Sequence, residues 1–174
     1  MKPFLFFCLL MNFNTPILLY KSTDPSQLWM VIDDVVMGGI SQSSVSYSED
    51  GYTKFEGAVS TAYNGGFSSM RLRCKTVSLE GYQSIVLRVK GDGKRYQFRL
   101  KEQWRDTYSF IHYFDTNKDW QTIEIPLKDL KASYRGRMLN NISFSNTTLE
   151  EIGILIGNKT NENFKLLIDS IYLK

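Results

Sequence analysis

Histidine and cysteine are nearly absent from this chain. Its 174 residues include one histidine, His112, and two cysteines, Cys8 and Cys74. A nucleophile–histidine pair needs a histidine beside its nucleophile, and zinc sites need several Cys or His at short spacings, so both are nearly excluded. His112 sits within an aromatic stretch and is expected to be structural. No metal and no cofactor is expected. Cys8 lies in the N-terminal apolar segment, so removal of that segment would leave Cys74 without an internal disulfide partner. Apart from that segment no stretch is apolar for long, and none reaches bilayer-spanning length. Charge of one sign is also missing. The formal net charge is +3 and the pI about 8.8, too weak a bias to argue for nucleic acid.

What is present is apolar and aromatic. Hydrophobic residues make up 43% and aromatics 14%, mostly Phe and Tyr, which favour strands in a packed core. The dominant period is two. In "RYQFRLK" Tyr96, Phe98 and Leu100 alternate with Arg95, Gln97, Arg99 and Lys101, and in "SIVLRVK" Ile85, Leu87 and Val89 alternate with Arg88 and Lys90. "FSSMRLRC" sets Met70, Leu72 and Cys74 against Ser69, Arg71 and Arg73. Further strands are expected in "PILLY", "SSVSYS", "TKFEGAVS", "TYSFIHYF", "WQTIEIPL", "IGILIG" and "FKLLIDSIYL", separated by turns at 48–51, 64–66, 91–94, 116–119 and 158–163. A short helix is expected over 126–133 and a turn at "TTLEE". Some ten short strands with little helix predict an all-β antiparallel sandwich, a jelly roll, occupying residues 15–174 as one domain. Residues 1–14, "MKPFLFFCLLMNFN", read as a short signal peptide or an apolar N-terminal arm. Export would follow from the first reading, a cytoplasmic or membrane-peripheral location from the second. Sequons at Asn141, Asn146 and Asn158 would matter only in a eukaryotic secretory setting.

The segment "LWMVIDDVVMGGISQS" raises the question of chemistry. Adjacent residues on a regular strand point to opposite faces, so Asp33 and Asp34 cannot share one reaction centre. Calcium loops want alternating oxygen ligands, whereas "DDVVMGG" offers apolar side chains. A turn or hydrogen-bonding role for at least one aspartate is therefore expected. Neither "MGG" nor "NGGF" fits a Walker or dinucleotide loop, which leaves tight turns and close backbone packing. The basic residues are more suggestive. Arg71, Arg73, Arg88, Lys90, Arg95, Arg99 and Lys101 lie on the polar sides of three successive strands and would align on one outer face if those strands were neighbours. Either Glu102, Asp106 or Glu124 neutralises that face, or it is a recognition surface rimmed by Trp104 and Tyr108. In "SYRGRM", Arg135 and Arg137 flank a glycine in a loop, where they form either surface ion pairs or contacts with a ligand.

Taken in order, "W…DDVVMGGIS", "FEGAVSTAYNGGFSSMR", "LRVKGDGKRYQFRL", "DWQTIEIPL", "YRGR" and "IGILIG" resemble the complex I intermediate-associated protein 30 family from about Trp29 to the C-terminus. The matching positions are Asp34, Met37, Gly38, Gly39, Asn64, Gly65, Gly66, Phe67, Arg71, Gly91, Asp92, Gly93, Tyr96, Arg135, Gly136 and Arg137. The resemblance implies a galactose-binding-domain-like jelly roll similar to some carbohydrate-binding modules. Mitochondrial members act as chaperones in assembly of respiratory NADH:ubiquinone oxidoreductase. A stand-alone bacterial version, without their long Arg- and Ser-rich leader, is expected. The resemblance brings no catalytic residues. A non-catalytic binding module for a protein or other large anionic partner is expected, and assembly of a respiratory complex is the specific role that the resemblance implies. The alternative is a glycan-binding module using Trp104, Tyr108, Tyr113, Asn64 and Asp92. A hydrolase built on Asp33, Asp34 and Asp92 lacks a matched nucleophile, base and orienting group.

Overall fold

The computed structural model describes residues 15–24 and 26–174. The reading of residues 1–14 lies outside them. Among the described residues, thirteen strands form two antiparallel sheets. The first contains β3 (Gln42–Tyr47), β4 (Thr53–Val59), β13 (Glu162–Leu173), β6 (Ser84–Lys90) and β9 (Trp120–Pro126) in that order, with β1 (Ile17–Lys21) also paired to β13. The second runs β11 (Arg137–Met138), β10 (Lys131–Tyr134), β8 (Ser109–Asp115), β7 (Arg95–Lys101), β12 (Thr148–Ile156), β5 (Ser68–Ser78) and β2 (Met30–Asp33). The two strands last in sequence, β12 and β13, thus lie within different sheets, each paired on both sides.

Period-two alternation places the core. Val89, Leu87 and Ile85 of β6 and Tyr96, Phe98 and Leu100 of β7 are buried, as are Met70 and Leu72 of β5. With Phe55, Phe110, Ile125, Ile154, Leu166 and Ile171 they fill the space between the sheets. His112 lies opposite Phe98 in the β7–β8 register and so takes the inward side of its strand. Cys74 packs against the same core, and burial pushes its thiol up to about 11, which removes it as a nucleophile at neutral pH.

Two local expectations fail. The short helix expected over 126–133 does not form. Those residues form one 3-10 turn, Leu127–Asp129, closed by Leu130 N–H donating to Leu127 O. The chain then extends into β10, because pairing with β8 satisfies its backbone and buries Ala132. "TTLEE" is not a turn either, since β12 begins at Thr148. β2 and β11 were not anticipated, being short edge strands with little apolar alternation.

One end of the sandwich is organised by Asp34. It begins a 3-10 turn, Asp34–Met37, and its carboxylate is fully buried. Oδ1 accepts from Ser41 N–H at 2.9 Å. Oδ2 accepts from the Ser41 hydroxyl at 2.5 Å, Gly66 N–H at 2.6 Å and Phe67 N–H at 3.2 Å. A Cβ at Gly39 would overlap this carboxylate, and one at Gly65 would lie 2.6 Å from Oδ2 and 2.8 Å from Ser60 O. Asp33, the last residue of β2, has its own set of partners. Its carboxylate accepts from Ser43 N–H and the hydroxyls of Ser43 and Ser68, tying β3 of one sheet to β5 of the other.

Burial alone would raise the Asp34 pKa, but the bonds from Ser41, Gly66 and Phe67 outweigh it and hold the carboxyl below its ordinary value. A depressed carboxylate stabilises the fold above its unfolded pKa of about 3.8, and that contribution is lost as pH falls through the lower folded value. Asp34→Ala leaves three N–H groups and a hydroxyl without their acceptor and should cost about 4 kcal/mol. Gly39→Ala should lower stability as well. Urea unfolding at pH 7 measures both, and the Asp34→Ala deficit should shrink at strongly acidic pH.

Candidate functional site

Cross-strand register maps the outer face of the seven-stranded sheet. One row runs Arg73 (β5), Glu151 (β12), Lys101 (β7), and the next runs Met30 (β2), Arg71 (β5), Gly153 (β12), Arg99 (β7), Ile111 (β8), Lys131 (β10). A third contains Ser69, Leu155, Gln97 and Tyr113. Arg71, Arg73, Arg99 and Lys101 therefore share a face, as the alternation suggested. Arg88 and Lys90 do not. Their strand, β6, belongs to the other sheet, where Arg88 stacks over Trp120 at 5.5 Å. Strands consecutive in sequence need not be neighbours, and here the chain crosses between sheets on either side of β6. Arg95 begins β7 beyond the third row, opposite Asp115, and lies 4.3 Å over the Tyr113 ring.

The carboxylates expected to neutralise the face are engaged elsewhere. Glu102 accepts from Ser145 N–H, and Asp106 accepts from Gln103 N–H within its own loop. Glu124 lies on the other sheet, bonded to Ser84 and Lys174. Glu151 pairs with Lys101 at 3.7 Å, and Lys101 also donates to Asp106 O at 2.7 Å. Arg99 donates from its Nη1 to a neutral acceptor, Gln97 Oε1, at 2.6 Å, and Glu151 attracts its charge through space. Burial, reinforced by the positive charge of Arg71, depresses its guanidinium to about 10.

Aromatics rim one side. Trp104, in the β7–β8 connection, is 39% exposed. Its ring lies under Arg73 at 4.1 Å and near Arg105 at 4.9 Å, and its backbone N–H donates to Glu150. Tyr108 is half-buried edge-on against Phe110 and contributes more to packing than to the rim. Beside β2, an open groove of about 480 Å3 is lined by Leu28, Met30, Arg71 and Arg73.

Other predicted site residues lie apart. Tyr96 is buried, and its hydroxyl donates to Asp92. Asp92 also accepts from Lys94 and from Lys165 N–H, so it clasps the Gly91–Gly93 turn onto β13. Tyr96 is thus withdrawn from the surface, while Asp92 stays half-buried with its carboxylate occupied by these bonds. Asn64 lies exposed on the turn Ala62–Asn64, at the Asp34 corner. Arg135 and Arg137 flank Gly136 at the β10–β11 hairpin, with Arg135 5.3 Å over Tyr134, on the edge opposite β2. No group of three or more His, Cys, Asp or Glu among the described residues could hold a metal. No helix among them is long and apolar enough to cross a membrane.

The corner carries a feature that composition did not reveal. Val35, Val36, Met37 and Ile40 are 52–73% exposed on the turn that Asp34 holds, and Tyr63 projects from the neighbouring turn. The signal was present in "DDVVMGGI", four apolar residues in a segment too short and glycine-bounded to be a buried strand.

An antiparallel β-sandwich whose outer sheet face and pinned loops carry the distinctive side chains defines a jelly-roll, galactose-binding-like module. Solved structures agree on the fold. The family 11 carbohydrate-binding module of the cellulase Lic26A-Cel5E of Clostridium thermocellum matches with TM-score 0.68 at 15% identity, covering 89% of this chain and 92% of that one. A variant of a family 29 carbohydrate-binding module matches with TM-score 0.56 at 10% identity over 91% of this chain and 84% of that one. The profile of the complex I intermediate-associated protein 30 family matches residues 18–168, and the chain belongs to that family. The mitochondrial complex I intermediate-associated protein 30 of Drosophila melanogaster is 26% identical over 141 residues, 68% of this chain and 48% of the relative. The chain thus spans about half that relative's length. An uncharacterised protein of Schizosaccharomyces pombe is also 26% identical, over 83% of this chain and 77% of its own.

Arg99 offers a stability test. A depressed basic pKa means the folded state disfavours the charged form, so at pH 7 the charge on Arg99 costs stability. Arg99→Gln should leave the melting temperature unchanged or raise it by up to about 3 °C. Differential scanning calorimetry decides, and a clear decrease would make Arg99 a structural residue.

Proposed function

We propose that this chain is a non-catalytic binding module that docks protein partners through its apolar corner, in the assembly of respiratory NADH:ubiquinone oxidoreductase or a related membrane complex. The observation that carries the reading is the exposed Val35, Val36, Met37 and Ile40 on a turn fixed by a buried, fully bonded carboxylate. Exposed apolar groups clustered at one place mark interaction sites. Holding them in fixed geometry reduces the ordering cost of association. Family membership supplies the setting, since the Drosophila relative is named for association with complex I intermediates. A non-catalytic role is supported by the carboxylates themselves, as Asp33, Asp34 and Asp92 each hold backbone or hydroxyl groups in place.

The double variant Val36→Asp, Met37→Asp changes only exposed side chains and should fold normally. Affinity purification from the native host, read by quantitative mass spectrometry, should show at least a roughly tenfold loss of NADH:ubiquinone oxidoreductase subunits, an effect of hot-spot size. Undiminished recovery would rule the corner out.

A second reading, glycan binding, rests on the outer sheet face, where Trp104 and Tyr113 stand partly exposed. Aromatic faces suit sugar rings. The likeness to carbohydrate-binding modules extends to the fold alone. Saturable binding to one saccharide on a glycan array, lost in Tyr113→Ala, would favour this reading over protein docking. A blank array would remove it.

A further inference from the structure

We propose that the cleft between the β9–β10 turn and the loop 139–146 binds an anionic amphiphile, an aliphatic chain ending in a carboxylate or a phosphate. The site is independent of the docking corner, which adjoins β2 at the other end of the strand order of the seven-stranded sheet.

The cleft forms where the sandwich is open. β9 is an edge strand of the first sheet, and β10 with the two-residue β11 ends the second. The chain passes from one to the other through the single 3-10 turn Leu127–Asp129, and residues 139–146, "LNNISFSN", line the cleft with it without forming a strand. Leu139, Ile142 and Phe144 of that loop pack against the core, and the Phe144 ring lies 4.8 Å from that of Phe110. With Leu130 and Ala132 they make the apolar part of a cleft of about 560 Å3, within the size range of small-ligand pockets.

The polar part is rich in donors that the protein does not use. Lys128, Lys131, Asn140, Ser143 and Asn146 line the cleft, and among the described residues none of their side chains has a hydrogen-bond or ion-pair partner. By contrast Asn158 and Asn161, in the connection before β13, are bonded to Arg95 and Thr61. No carboxylate lines the cleft. Asp129, between the two lysines in sequence, is outside the lining, and so is Glu102, which is bonded to Ser145 N–H.

These features select a ligand. The apolar part shelters an aliphatic chain from water. Two ammonium groups and three neutral donors beside it suit a head that accepts, and charge-assisted bonds from lysine favour an anion. A sugar is a poorer match. It stacks on an aromatic face, and the one aromatic ring in the lining, Phe144, is engaged with Phe110. A free fatty acid and an acidic phospholipid share the selected chemistry.

The test is a 1H–15N NMR titration of the purified chain at low salt with octanoate, octyl phosphate, octyl glucoside and acetate, each below its micelle concentration. Octanoate or octyl phosphate should give saturable shifts at the N–H groups of Asn140, Ser143, Phe144 and Asn146. Acetate, which lacks the chain, should give none at those concentrations. Octyl glucoside, which lacks the charge, should bind at least about tenfold more weakly. The double variant Lys128→Gln, Lys131→Gln changes exposed side chains and should weaken both anions by a similar factor, whereas Lys118→Gln, in the β8–β9 connection, should titrate like the parent chain. Tighter binding of octyl phosphate assigns the head to a phospholipid, and tighter binding of octanoate to a fatty acid. No saturable shift with either anion overturns the site. Shifts at Val35, Val36 and Ile40 in place of the cleft overturn it too, as adsorption to exposed apolar surface. Octyl glucoside binding as tightly as the anions, or undiminished binding by the lysine variant, overturns the anionic assignment. The corner variant Val36→Asp, Met37→Asp should titrate normally, so failure here and failure of the docking reading are separate results.

Discussion

The Asp34 carboxylate gathers donors from two separate pieces of chain, its own turn's exit at Ser41 and the paired N–H groups of Gly66 and Phe67, and the rest of the corner depends on it. Ser41 passes the connection on, its hydroxyl oxygen accepting from Ser60 N–H at the end of β4. Asn161 then ties in the start of β13 by accepting from Thr61 N–H and hydroxyl. A charge withdrawn from water is tolerated only when its lone pairs are filled, and here all the donors are fixed. The glycines of "MGG" and "NGG" belong to the same constraint, because Gly39 and Gly65 leave the space that the carboxylate occupies.

That arrangement has a consequence for assembly of the fold itself. β12 and β13 are added last along the chain yet pair on both sides within their sheets. Neither sheet is continuous until the final segment joins, which makes the fold dominated by distant pairings and slow to form. The corner brings together the ends of β2, β4 and β5 with the approach to β13, the places where strands pass between sheets. A polar clamp suits that position, since strand ends leave backbone groups that the ladders cannot satisfy.

The sequence made the strands legible because alternation survives in almost every one of them. Tyr96, Phe98 and Leu100 read inward and are inward. It misled where tertiary pairing outweighed local spacing. Residues 126–133 were expected to be helical, but pairing between β10 and β8 draws Lys131–Ser133 into a strand. Asp33 and Asp34 do take separate partners, but Asp34 opens a 3-10 turn, so strand parity is not the reason. The identity of their partners, serines and a glycine-rich turn distant in sequence, was not legible. The basic face was half legible. Parity assigns Arg71, Arg88 and Arg99 to outward positions, but only strand order shows that Arg88 faces away on the other sheet and that Gly153 lies between the remaining two.

The corner and the basic outer face share β5. The Asp34 carboxylate fixes Gly66 and Phe67, and Asp33 fixes Ser68, the first residue of that strand. Arg71 follows three residues later. A slip of one residue in β5 would turn Met70 outward and drive Arg71 into the core, so the register at Ser68 determines which face carries the charge. Residues buried at the corner therefore decide which side chains the outer face of β5 carries, Arg71 and Arg73 rather than Met70 and Leu72.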